Sequence, residues 1–170
     1  MHARVLMAVF ALLFAPATLR AAGGETIETA TAITALPFVD SGNTCAGAND
    51  YDAACPYPGS VSPDLVYACI PPVDMIVDID LCESLYDTKV YVYASSPDSL
   101  VACNDDFWGC GHVDWESRIP ELHLAGGVTY YVVVDGYGSA CGDYALLVTG
   151  EPVPVPVVSE TWGRIKRRYR

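Results

Sequence analysis

Val73, Met75, Val77, Ile79 and Leu81 fall on one face of an extended chain, while Asp74, Asp78 and Asp80 share the other with Ile76. A period of two with carboxylates opposite apolar side chains predicts a half-buried antiparallel strand. Runs rich in β-branched and aromatic residues recur over residues 25–36, 38–42, 64–70, 88–94, 99–104, 118–124, 128–135 and 143–149. Each fits a pleated, half-buried surface better than a helix. Turn chemistry separates them: Pro71-Pro72, Ser95-Ser96-Pro97-Asp98, Gly126-Gly127 and the glycine-rich stretch 136–142. Residues 43–63, with Asn49-Asp50-Tyr51-Asp52 and Pro56-Tyr57-Pro58-Gly59, read as one long loop. No stretch carries a helical period. The pattern predicts an all-β fold, a jelly-roll-like antiparallel β-sandwich of about eight strands.

The two ends differ from this body. Arg4 precedes the apolar run 5–14, and Ala15-Pro16-Ala17 supplies small residues for cleavage. The run is much shorter than the ~20 residues a membrane span needs, so residues 1–22 read as a secretory signal. No other stretch is long and apolar enough to span a bilayer. Residues 23–150 form the expected domain, and 170 residues leave room for one domain with a real core. From residue 151 onward Pro152, Pro154 and Pro156 alternate with valines, which favours an extended linker. It leads to Trp162-Gly163-Arg164-Ile165-Lys166 and a basic terminus that holds five of the nine basic residues. This tail reads as a sorting or docking signal.

Seven cysteines, at 45, 55, 69, 82, 103, 110 and 141, support export independently. Behind a signal peptide they predict disulfides, with one thiol left over and the connectivity open. Cys45–Cys55 is the nearest pairing and would staple the long loop. Between residues 23 and 150, nineteen acidic residues stand against two basic ones, Lys89 and Arg118. Such a body repels nucleic acid and anionic lipid, so nucleic-acid binding is not expected. The expected location is outside the cytoplasm, secreted or at the cell surface.

The candidate chemistry gathers in the loop after residue 103. Asn104, Asp105 and Asp106 offer adjacent hard oxygen donors suited to Ca²⁺, although Trp108 stands where an EF-hand would need an oxygen ligand. The same side chains suit a tight turn, capping local backbone N–H groups. The row Asp74, Asp78, Asp80 reads as a solvated face rather than a cation row. Cys103, Cys110 and His112 have zinc-ligand chemistry but lack a fourth partner, and disulfides compete for the thiols. Catalysis has little to work with. His112 and His123 are the histidines beyond the signal, and Gly136-Tyr137-Gly138-Ser139-Ala140 lacks the spacing of a nucleophile elbow. A small hydrolase is therefore the weaker alternative to a non-catalytic role. Phe107, Trp108, Trp115 and Tyr137 in two loops, with Tyr51 and Tyr57 in a third, are aromatic faces beside carboxylates. That combination suits recognition of extracellular protein or carbohydrate.

Five motifs in order carry a family resemblance: Asp87-Thr88-Lys89-Val90-Tyr91-Val92-Tyr93, Ala102-Cys103-Asn104-Asp105-Asp106, Ser117-Arg118-Ile119, 127–134 (Gly-Val-Thr-Tyr-Tyr-Val-Val-Val) and Gly142-Asp143-Tyr144-Ala145-Leu146. Over residues 25–150 the chain resembles the bacterial pre-peptidase C-terminal domain. The resemblance implies a jelly-roll-like β-sandwich and a non-catalytic accessory module for solubility, secretion or attachment. It also implies calcium binding or collagen binding in some relatives. The family's calcium site draws partly on an N-terminal run for which this sequence has Gly24-Glu25-Thr26-Ile27-Glu28-Thr29, a departure from the family pattern. A calcium-dependent adhesion or matrix-binding module is the alternative this leaves.

Overall fold

In the computed structural model, which describes residues 23–111, 115–155 and 166–167, nine strands build two facing sheets. They are β1 (Thr31–Ile33), β2 (Phe38–Asn43), β3 (Leu65–Cys69), β4 (Met75–Asp80), β5 (Thr88–Ala94), β6 (Leu100–Asn104), β7 (Arg118–Leu124), β8 (Tyr130–Gly136) and β9 (Asp143–Pro152). One sheet has the order β1-β3-β8-β5-β6 and the other β2-β9-β4-β7. Among these strands β5–β6 is the only hairpin within a sheet. Every other step along the chain crosses between sheets, the wrapping that defines a jelly-roll-like sandwich. All pairings are antiparallel except that of β1 with β3. The all-β sandwich read from the sequence is the observed fold.

The alternation in β4 does what its pattern predicts. Val77 and Ile79, with Leu81 just beyond, are buried against Val90, Val92, Val132 and Val134 of the opposite sheet. Burying each such side chain stabilises the fold by roughly 1.5–3 kcal/mol. On the other face, Asp78 and Asp80 meet Arg118 of β7 at 2.8 and 3.4 Å, and Asp74 accepts from the Gly126 N–H at 2.9 Å. The carboxylate row is thus partnered by protein. Pro120 and Glu121 form a bulge opposite Asp78: Glu121 has a φ of 51°, and its N–H donates to Asp78 at 2.7 Å.

Three boundaries differ from the sequence reading. The strand expected over 25–36 shrinks to Thr31–Ile33, because Thr26 and Thr29 hydrogen-bond to each other and close a turn. The last strand continues through Gly150 to Pro152, pairing with the start of β4, so Glu151 and Pro152 belong to the sheet and not to the linker. The stretch 128–135 starts as a strand only at Tyr130, after Gly127 takes a positive φ of 77° in the turn. The expected signal segment 1–22, His112, and residues 156–165 and 168–170 of the expected linker and tail lie outside the described residues. No helix among the described residues is long and apolar enough to cross a membrane.

The disulfides are Cys45–Cys141, Cys55–Cys103 and Cys82–Cys110, leaving Cys69 free. The nearest pairing, Cys45–Cys55, is not made. The short 3-10 turn Thr44–Ala46 aims Cys45 at the β8–β9 connection, while Cys55 lies over the outer face of the five-stranded sheet. That outer face is the main surprise. Val66, Tyr91, Tyr93 and Val133 are buried there beneath Ala53 and Cys55, forming a second, smaller core under the long loop.

Candidate functional site

Asp87 precedes β5, and Asp105 and Asp106 follow β6. Because Val90 pairs with Asn104 in the β5–β6 hairpin, the start of one strand and the end of the other share one end of the sheet. Segment 115–118 laces this end together. Thr88 N–H donates to the Trp115 carbonyl at 3.3 Å, Phe107 N–H to that of Glu116 at 2.9 Å, and Ser117 N–H to Thr88 Oγ1 at 2.8 Å. Ser117 Oγ lies 2.7 Å from the Asp105 carbonyl. Tyr137 joins from the end of β8, its N–H donating to the Asp87 carbonyl at 3.0 Å. Cys82–Cys110 ties the loop after β6 to the connection between β4 and β5.

Three carboxylates converge here: ligand atoms of Asp87, Asp105 and Asp106 all lie within 4.8 Å of one another. Asp105 is only 7% exposed, and its Oδ1 has no hydrogen-bond partner. Burial, with Asp106 and Asp87 nearby, pushes the Asp105 carboxyl up to about 6. Asp87 is raised too, first by burial and then by Asp106 and Glu116. Of the expected trio Asn104, Asp105 and Asp106, the two aspartates converge with Asp87, while Asn104 makes hydrogen bonds to backbone groups. Asn104 Oδ1 accepts from the Arg118 N–H at 2.9 Å, and its Nδ2 donates to the Asp106 carbonyl at 3.2 Å. Asn104 caps the turn, and Asp87, which the sequence did not single out, joins the two aspartates.

Around these carboxylates stand Trp108, Trp115 and Tyr137, exposed by 80%, 52% and 47%. Phe107, the fourth member of the expected recognition set, is less open than these three. It is half-buried, with the Arg118 guanidinium 5.5 Å from its ring centre. Tyr51 also turns inward, its hydroxyl accepting from the Ile27 N–H at 2.9 Å and its ring against Tyr93, whereas Tyr57 is exposed.

The other sequence candidates disperse. Cys103 and Cys110 belong to different disulfides, so neither is available to zinc. His123 is exposed on β7, opposite Ile76. Beneath the long loop lie charged groups that the sequence did not single out. Asp135, fully buried, accepts from the Tyr91 hydroxyl and the Gly136 N–H. Lys89 Nζ reaches the Ala53 and Tyr57 carbonyls at 3.4 Å and lies 5.3 Å from the Tyr91 ring centre. Asp64 accepts from the N–H groups of Asp50 and Tyr51 at 2.8 and 2.9 Å, folding the loop around itself. Burial raises Asp64 to about 7 and Asp135 to about 6. These groups bond to the loop and hold it against the sheet.

At the opposite end of the sandwich an apolar cavity of about 350 Å³ opens between the sheets, walled by Ile33, Leu36, Pro71, Leu124 and Tyr130 with Cys69 among them. Burial pushes the Cys69 thiol up to about 11, which keeps it protonated and unreactive at neutral pH. No protein-family model matches the sequence, and no curated protein does.

Proposed function

We propose that this chain is an exported, non-catalytic binding module of the pre-peptidase C-terminal type that holds extracellular carbohydrate on Trp108, Trp115 and Tyr137. One observation carries the reading: two indole rings stay largely in solvent on a loop pinned by Cys82–Cys110 and bordered by carboxylates. Exposed tryptophan contributes little to folding, whereas its flat apolar face stacks on sugar rings while neighbouring carboxylates accept their hydroxyls. A pinned loop loses little conformational entropy when it binds. The three disulfides and the expected signal segment support a location outside the cytoplasm. The five motifs quoted for the family fall on β5, the β6 end, the β7 start, the β8 segment and the β9 start, which supports the resemblance. The basic tail serves this reading as a sorting or docking segment.

The test is a pull-down on insoluble and soluble polysaccharides beside a panel of matrix proteins, with wild type, Trp108→Ala and Trp115→Ala. Saturable glycan binding that falls roughly 10–30-fold in each variant is expected of central aromatic anchors. Unchanged binding in the double variant overturns the assignment of the face. Binding to a matrix protein alone, lost in the same variants, keeps the module and replaces the ligand class.

A further inference from the structure

We propose that Asp87, Asp105 and Asp106 form a binding site for a hard divalent cation, with Ca²⁺ as the extracellular ion that fills it. The three carboxylates bring ligand atoms within 4.8 Å of one another, close enough for one ion to touch all three. Clustering alone would suit any acidic surface, but two of these oxygens are out of reach of water. Oδ1 of Asp105 and Oδ1 of Asp87 are buried and accept no hydrogen bond. A buried carboxylate oxygen with no donor carries an uncompensated desolvation cost, which a bound cation removes.

Among the described residues no basic side chain bonds directly to these oxygens, and the charge of Lys89 acts on Asp105 only from a distance. Arg118 is engaged by Asp78 and Asp80, and Lys89 Nζ points to the Ala53 and Tyr57 carbonyls. The donor set is all oxygen, which selects calcium- or magnesium-type ions over zinc or copper. Irregular donors from two chain segments suit the flexible coordination of Ca²⁺ better than the strict octahedron of Mg²⁺. Asp106 is exposed, so the ion has an entry path, and water can complete its shell. The expected affinity is that of extracellular modules, with Kd of about 10⁻⁴–10⁻³ M. The inference goes beyond the carbohydrate reading and stands without it. An ion here would join the start of β5 to the end of β6, directly beneath the segment that carries Trp115.

The test is thermal unfolding of the purified protein, stripped with chelator and then titrated with CaCl₂ against NaCl of equal ionic strength. Above the Kd, Tm should climb roughly 3–5 °C for each tenfold rise in free Ca²⁺. Asp105→Asn and Asp87→Asn should abolish the rise, whereas Asp74→Asn, on the carboxylate that caps Gly126, should leave it intact. In chelator, Asp105→Asn should melt no lower than wild type, since it removes like-charge repulsion. Tb³⁺ luminescence excited through tryptophan, and displaced by Ca²⁺, gives a second readout should one variant fold poorly. A Tm unmoved by CaCl₂, or a rise of equal size in Asp105→Asn and Asp87→Asn, overturns the site. Neither readout involves a glycan, so failure of the carbohydrate assay leaves this outcome untouched.

Discussion

Asp64 and Asp135 sit at the residue scale of the problem, two carboxylates sealed under a loop with little positive charge beside them. Folding holds them at about 7 and about 6, whereas an unfolded aspartate titrates near ~3.9. Between these values the folded state binds more protons than the unfolded one, so stability declines as pH rises from about 4 toward 7. Asp135 faces the Tyr91 hydroxyl, the Gly136 amide and Lys89, and Asp64 faces the Asp50 and Tyr51 amides. For Asp135 the cost of burial outweighs these partners, Lys89 included, and Asp64 has amides but no cation facing it. Asp78 opposes the trend only at lower pH, because the Glu121 N–H and Arg118 keep it below the usual range. Urea unfolding in chelator should therefore show a higher midpoint at about pH 5.5 than at about pH 7.5. Asp64→Asn should reduce the difference, leaving the share of Asp135 and Asp105, and a midpoint that falls with acidification over this range would contradict the account. The sequence names the acidic residues but not their burial, since a carboxylate on a polar loop reads as solvated until something is known to cover it.

At the scale of elements, legibility follows periodicity. The β4 face was readable from alternate apolar positions, and so was the turn between β5 and β6. The second core was not: Tyr91, Tyr93 and Val133 occupy the face that alternation assigns to solvent, and their cover is a loop without any period. Asp87 was missed for a related reason. It lies far from Asp105 along the chain, and only the pairing of Val90 with Asn104 brings the two together. A hairpin register carried past both strand ends would have pointed to it. Cys55–Cys103 fastens the loop over the sheet, closing 48 residues of chain. Replacing both cysteines with serine should lower unfolding stability by about 2–4 kcal/mol. Hydrogen exchange should then speed up over 48–64 while the inner core strands stay protected. Uniform loss of protection across both sheets would mean the loop is integral to the sandwich rather than laid upon it.

Seen whole, the molecule places its features at opposite ends. Acidic and aromatic groups gather where β5 begins and β6 ends, and the apolar cavity with Cys69 opens where β3 ends and β8 begins. Fold class was legible because nine short strands repeat one signal. The crosslinks were not, because cysteine spacing carries no information about which sheet each thiol faces. Along the chain the order is 45, 55, 69, 82, 103, 110, 141, and no native bond joins neighbours in that order. In the exported protein proposed above, oxidation of thiols in chain order would pair Cys45 with Cys55, a bond the fold does not contain. On that reading, maturation is expected to need thiol reshuffling as well as an oxidant. Expression in a host lacking disulfide isomerase should give scrambled monomers, and correctly bonded protein at full yield from such a host would show that the chain sorts its own cysteines.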